Sequence, residues 1–184
     1  MQNSIKKGNI VVLMIYLSKL HLKTKNMKYN SLNLDDIDRQ ILEILQENAM
    51  ATAKEMAYKL SLTTTPIYER IKKLQKTGII KQYVALLDAD ILGKSILVFM
   101  NITIKDHHSE KRNEFVREMG KLEAVTEFYH TSGSFDFLVK VRFSDIKSFR
   151  NFLVNKIASI HNIGDIESQI VLEEIKFSTK ILID

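Results

Sequence analysis

Leu62-Thr-Thr-Thr-Pro-Ile-Tyr-Glu-Arg-Ile-Lys-Lys-Leu74, and shortly after it Gly78-Ile-Ile-Lys-Gln-Tyr83, decide how this chain reads. Thr65 as N-cap and Pro66 at the first helical position open a helix, since the amide that proline lacks would go unbonded there. Ile67, Ile71 and Leu74 recur at helical spacing and face a core, and Gly78 suits a left-handed stop. The remaining faces carry Tyr68, Glu69, Arg70, Lys72, Lys73 and Lys76. From Leu62 to Tyr83 there are five basic groups and one acid, a local cation excess of the kind phosphates require. Arg70, Lys72, Lys73 and Lys76 are the expected phosphate contacts. Thr64, Thr65, Tyr68 and Glu69, nearer the helix start, are placed to reach base edges. Ile79 to Leu87 is β-rich and is expected to return along the bundle as a wing.

Two further helices precede this one. Asp35 opens the first, with Asp36 and Asp38 in its first turn, where carboxylates meet the positive end of the helix dipole. Ile37, Ile41, Ile44 and Leu45 form its buried stripe. Thr52-Ala-Lys-Glu55 reads as a capping box for the second, whose apolar face is Met56, Ala57 and Leu60. Ser61 to Thr64 makes the tight turn, with Leu62 expected to plug the core. Three helices in this order, the last basic, are the plan of a helix-turn-helix.

From Lys94 the rhythm changes. Ile96–Ile104, Val125–Thr131, Phe135–Phe143 and Ile166–Glu173 read as strands. The first pair brackets a helix from Ser109 to Gly120, and the last pair a helix capped by Asp145. Only Ser132-Gly-Ser134 separates the middle strands, which form a hairpin. The β-α-β-β-α-β order is the ferredoxin-like arrangement. Phe177 to Ile183 is expected to add a strand or to cross to a partner subunit. The fold class is therefore α+β: a winged helix-turn-helix domain over residues 34–92 and a ferredoxin-like domain over residues 93–184.

The net charge of +5 conceals where charge sits. Residues 1–33 hold six lysines and no acid, whereas residues 34–92 net −1 and residues 93–184 net zero. A nucleic-acid reading must therefore rest on the local cluster and not on the pI. Residues 1–33 read as a disordered extension or a mis-assigned start, with Met27 shortly before the first folded segment. The apolar run Ile10–Leu17 is too short to span a bilayer, though it could add a strand to a sheet edge.

In order and spacing, this chain resembles the Lrp/AsnC family of regulators. The resemblance rests on Leu34-Asp-Asp-Ile-Asp-Arg-Gln-Ile-Leu42, the Leu62–Leu74 and Gly78–Tyr83 stretches, Gly133-x-x-Asp136 and Val171-Leu-Glu-Glu-Ile-Lys176. It implies that the second domain binds effectors and oligomerises, as a homodimer assembling to a tetramer or octamer. It also implies an amino acid or related metabolite bound between subunits near the hairpin. Carried over by position, the effector residues are Ser132, Gly133 and Asp136 on the loop, with Ser168 and Gln169 on the last strand. A glycine loop can offer amides to a carboxylate, and Asp136 can hold an ammonium. Each has a plainer reading: Gly133 as a turn residue, Asp136 bonding loop amides, Ser168 and Gln169 as strand-face polar groups.

Several classes of function are disfavoured. The chain has no cysteine, which removes disulfides, cysteine-zinc sites and thiol catalysis. Its five histidines lack the i, i+4 spacing of a helical metal site. There is no nucleophile elbow or phosphate-binding glycine loop, so neither an enzyme nor a metal or other cofactor is expected. The expected partners are double-stranded DNA, a small-molecule effector and further copies of the chain, with no membrane and a cytoplasmic location. The alternative is an architectural DNA-binding protein of the same fold that has no effector.

Overall fold

The computed structural model describes residues 34–183. The expectations for residues 1–33, including added strand pairing by Ile10–Leu17, lie outside the described residues. The chain divides into two compact units. Within the described residues the first comprises residues 34–83 and 180–183, and the second is Val84–Thr179. The division thus falls earlier than residue 92, and the last residues belong with the first unit.

In the first unit, α1 is Asp36–Glu47, α2 is Ala53–Lys59 and α3 is Thr64–Lys76. Asp35 caps α1 by accepting the Asp38 amide at 2.8 Å. The Thr52/Glu55 capping box forms in both directions, satisfying two amides that have no helical partner. Ser61 at φ 54 makes the turn between α2 and α3. Ile41, Met56, Ala57, Ile67 and Leu74 form a dry centre. Removing each such aliphatic side chain from water is worth about 1.5–3 kcal/mol.

Three local expectations are corrected. The cap of α3 is Thr63, not Thr65, so Pro66 sits at the third helical position, still inside the turn whose amides need no helical acceptor. Leu62 remains 38% exposed and stays outside the buried helical cluster. Ile79–Leu87 forms no strand. Its segment 81–88 is exposed, and a ladder needs a second strand that the described residues do not supply. No wing strand therefore stands among the described residues. Gly78 does stop α3, at φ +78, with its amide and that of Ile80 bonded to Gln75 and Leu74.

Phe177–Ile183 likewise adds no strand among the described residues. Instead Gln46 on α1 holds residue Ile181 from both sides, donating to its carbonyl at 3.0 Å and accepting its amide at 2.6 Å. Ile183 packs against the helical core.

The second unit runs β1 Ile96–Ile104, α4 Ser109–Gly120, β2 Val125–His130, β3 Phe137–Phe143, α5 Ile146–Asn155, a 3-10 turn Ile157–Ser159 and β4 Ile163–Ile170. The sheet is antiparallel in the order β2-β3-β1-β4, as the β-α-β-β-α-β reading required. Alternate residues Val98, Met100, Ile102 and Ile104 of β1 and Phe137, Val139, Val141 and Phe143 of β3 are buried. They meet Phe115, Met119, Phe149 and Phe152 from the two helices. Asp145 caps α5 as expected, accepting the Ser148 amide at 2.8 Å.

Candidate nucleic-acid interface and effector loop

The surface of α3 separates into a working face and a clamped flank. Thr64, Thr65, Tyr68, Glu69, Lys72, Lys73 and Lys76 are exposed. Residues 65, 69, 72 and 76 succeed one another at spacings of three and four, which stacks them on one side of the helix. The Lys72 ammonium lies 4.5 Å from the centre of the Tyr68 ring, a cation–π contact that holds the lysine near the helix start.

Arg70 is different. Its Nη1 lies 2.6 Å from Asp35 Oδ2 and 2.7 Å from Asp38 Oδ1. These hydrogen bonds, Asp35's first and Asp38's second, hold the guanidinium charged more firmly than usual. The Asp38 amide, and after it Arg70, lowers the Asp35 carboxyl below the ordinary range. Asp38 is buried, and its Oδ2 accepts no hydrogen bond; Lys73 Nζ stands 3.6 Å from that oxygen, within ion-pair distance only. Arg70 thus fastens α3 to α1, and the phosphate role expected for it is not the one its geometry favours. Asp35 and Asp38 belong to this arrangement although sequence reading placed them only in a helix turn. The signal was there, since carboxylates one turn apart on α1 need a cation.

In the second unit the hairpin spans residues 131–136. Thr131 donates its amide to the Asp136 carbonyl at 2.8 Å and its hydroxyl to Phe135 at 3.1 Å. Gly133 takes φ +130 with nothing within 4 Å of where a Cβ would stand, so its conformation and not its space calls for glycine. Ser132 and Gly133 are exposed. Asp136 Oδ2 accepts the Ile104 amide at 2.8 Å, just beyond the last β1–β3 pair, Ile102 opposite Phe137. Its other oxygen lies 3.6 Å from Nδ1 of His107. One Asp136 oxygen is thus committed to a strand amide and not to a loop amide, and His107 is a neighbour that sequence reading did not single out.

Ser168 and Gln169 do not join this group within one chain. Ser168 lies opposite Met100 on the helix-covered side, and Gln169 lies opposite Phe99; successive strand residues point to opposite faces. The β1 strand also separates β4 from the hairpin. Gln169 donates instead to Glu167 at 3.0 Å. Among the described residues no group of three His, Asp or Glu side chains is placed to hold a metal. No described helix is long and apolar enough to cross a membrane.

Comparison with known proteins matches both units. Residues 34–75 match the AsnC-type helix-turn-helix domain, and residues 97–181 match the Lrp/AsnC ligand binding domain. The chain is 34% identical to the leucine-responsive regulatory protein of Escherichia coli over 82% of this chain and 92% of that protein. It is 32% identical to the DNA-binding transcriptional activator DecR of the same organism, over 82% of this chain and 99% of DecR. A transcriptional regulator from Neisseria meningitidis solved as an L-Met complex superposes with a TM-score of 0.77 at 31% identity, covering 81% of this chain and 96% of that one.

Proposed function

This chain belongs to the Lrp/AsnC family of transcriptional regulators, and from that membership we propose that it reads a specific operator and senses an amino acid or related small metabolite. A DNA-binding helix-turn-helix joined to a ligand-binding domain is common to the family, which is not one of enzymes. The observation that carries the operator reading is the exposed row of α3: Thr65, Tyr68, Glu69 and Lys72 with Lys76 beyond. Lys72, Lys73 and Lys76 neutralise phosphates while Thr64, Thr65, Tyr68 and Glu69 meet bases.

The sensing site is the hairpin loop. Exposed Ser132 and Gly133 offer polar groups to a carboxylate, and the Asp136 oxygen not used by Ile104 complements an ammonium. The relative solved with L-Met supports an amino acid as the ligand class. Ser168 and Gln169 take part only if a second copy brings them there. A homodimer is favoured by the apolar surface of the second unit, where Leu87, Ile91, Leu172 and Ile175 are largely exposed, an arrangement that water disfavours. Dimers assemble further to tetramers or octamers, and the protein works in the cytoplasm, where its DNA is.

Selection of bound sequences from a random duplex pool, repeated with and without a panel of amino acids, tests this reading. A recovered motif whose affinity changes with one amino acid supports it. Recovery of no motif, with equal affinity for all duplexes and no ligand response, leaves the architectural alternative. That alternative has one observation in its favour: half of the Asp136 carboxylate is already bonded to Ile104.

A further inference from the structure

We infer that Glu69 determines specificity in the operator, selecting a cytosine by accepting a hydrogen bond from its N4 amino group in the major groove. This rests on the operator reading above and goes beyond it, from reaching base edges to deciding which base is read. Glu69 is the one acid among five basic groups between Leu62 and Tyr83. It is exposed in the row Thr65, Glu69, Lys72 and Lys76, in the half of α3 nearer the helix start, where a recognition helix meets base edges.

Three cations stand within four residues of Glu69, and each has another partner. Lys73, four residues on, has the best spacing to pair with a glutamate on a helix, yet its Nζ lies 3.6 Å from Asp38 Oδ2. Lys72 lies over the Tyr68 ring at 4.5 Å, and Arg70 is held by Asp35 and Asp38. Among the described residues no ion pair or side-chain hydrogen bond engages Glu69. A carboxylate carried unpaired into a groove walled by phosphates is repelled, and only a hydrogen-bond donor offsets that. In the major groove guanine offers acceptors, thymine an acceptor and a methyl, adenine a donor beside an acceptor, and cytosine a donor alone. The Glu69 carboxylate therefore favours cytosine and rejects the acceptor edges. It neutralises no phosphate, so it adds specificity without adding to the salt dependence.

Selection from a random duplex pool, run in parallel on the full chain, Glu69→Gln and Glu69→Ala, tests the assignment. The parent motif should hold a cytosine that becomes adenine with Glu69→Gln, since an amide pairs with adenine N6 and N7. With Glu69→Ala that position should lose its preference while the rest of the motif stays. Fluorescence anisotropy then measures the contact on the DNA side. Replacing that cytosine by pyrimidin-2-one, which lacks the amino group, should weaken binding of the parent chain by about tenfold and of Glu69→Ala not at all. Such a cycle separates the contact from any effect of the substitution on how α3 sits. Circular dichroism melts that match the parent chain establish that both variants fold. A parent motif without such a cytosine, or one motif shared by all three proteins, overturns the proposal and leaves the operator reading standing. An equal penalty for pyrimidin-2-one in the parent chain and Glu69→Ala does the same. Recovery of no motif with the parent chain overturns both.

Discussion

Arg70 on α3 holds Asp38 on α1 with Nη1 2.7 Å from Oδ1, and the aspartate side chain is 1% exposed. A buried carboxylate without its cation is far costlier than a well-paired one. Arg70→Ala should therefore destabilise the first unit by about 3–5 kcal/mol, toward the lower end because Lys73 stays near Asp38. Urea denaturation measures it. The paired replacement Arg70→Met with Asp38→Leu should recover most of the loss, since neither charge is then stranded. A loss under about 1 kcal/mol in Arg70→Ala would mean that the clamp contributes little.

The same clamp separates two kinds of basic residue on one helix. Lys72→Ala and Lys76→Ala should each reduce the slope of log K against log salt by about 0.9, the signature of one released phosphate contact. Arg70→Lys should weaken binding while leaving that slope intact, because it alters how α3 sits and not how many phosphates are neutralised. Filter binding across a salt series distinguishes them. Equal slopes for all three variants would remove the assignment.

Acid should loosen the first unit through named carboxylates. Asp35 is held low by the Asp38 amide and then Arg70, Glu55 by the Thr52 amide and hydroxyl, and Glu47 by its Lys180 hydrogen bond. A carboxyl depressed in the folded state contributes stability above its unfolded pKa and loses it as pH falls through the folded value. Melting temperature should thus hold at neutral pH and decline below about pH 4. The Glu55→Gln variant should show a smaller acid-dependent decline than the parent chain, since position 55 then carries no carboxyl to titrate.

What the sequence made legible follows from how local each signal is. The Thr52/Glu55 box, the Asp145 cap and the alternation of Val98, Met100 and Ile102 are each written within a few residues, and each stands in the structure. The wing at Ile79–Leu87 failed because β-propensity names a residue that fits a sheet without supplying its neighbour. The ion pairs of Arg70 were illegible for a related reason. Its partners Asp35 and Asp38 lie some 35 and 32 residues away, so its charge looked available when it was already spoken for. Ser168 and Gln169 were carried over by position from the family resemblance, and as neighbours in a strand their side chains point to opposite faces.

The return of the chain end to α1 is open to direct measurement. Gln46→Ala removes both hydrogen bonds to Ile181, and at about 1 kcal/mol each the cost should be near 1–2 kcal/mol in an exposed setting. Hydrogen exchange should find the Ile181 amide markedly less protected in Gln46→Ala, with α2 amides changed only by the global loss. An Ile181 amide that exchanges as fast in the parent as in the variant would show that the contact does not persist in solution.

The two oxygens of Asp136 face different neighbours, and an isosteric change separates the proposed effector role from the structural one. One oxygen accepts the Ile104 amide at 2.8 Å; the other faces His107 at 3.6 Å and would meet an effector's ammonium. Asp136→Asn keeps a carbonyl acceptor for Ile104 and removes the charge, so the melting temperature should stay close to that of the parent. Asp136→Ala strands the Ile104 amide and should cost about 1–3 kcal/mol. Both variants should lose the effect of the amino acid on operator affinity, an effect expected to be about 5- to 150-fold in the parent. Basal DNA binding should survive in each. Retention of a full ligand response in Asp136→Asn would place ammonium recognition elsewhere, whereas loss of folding in that variant would mark the carboxylate as structural alone.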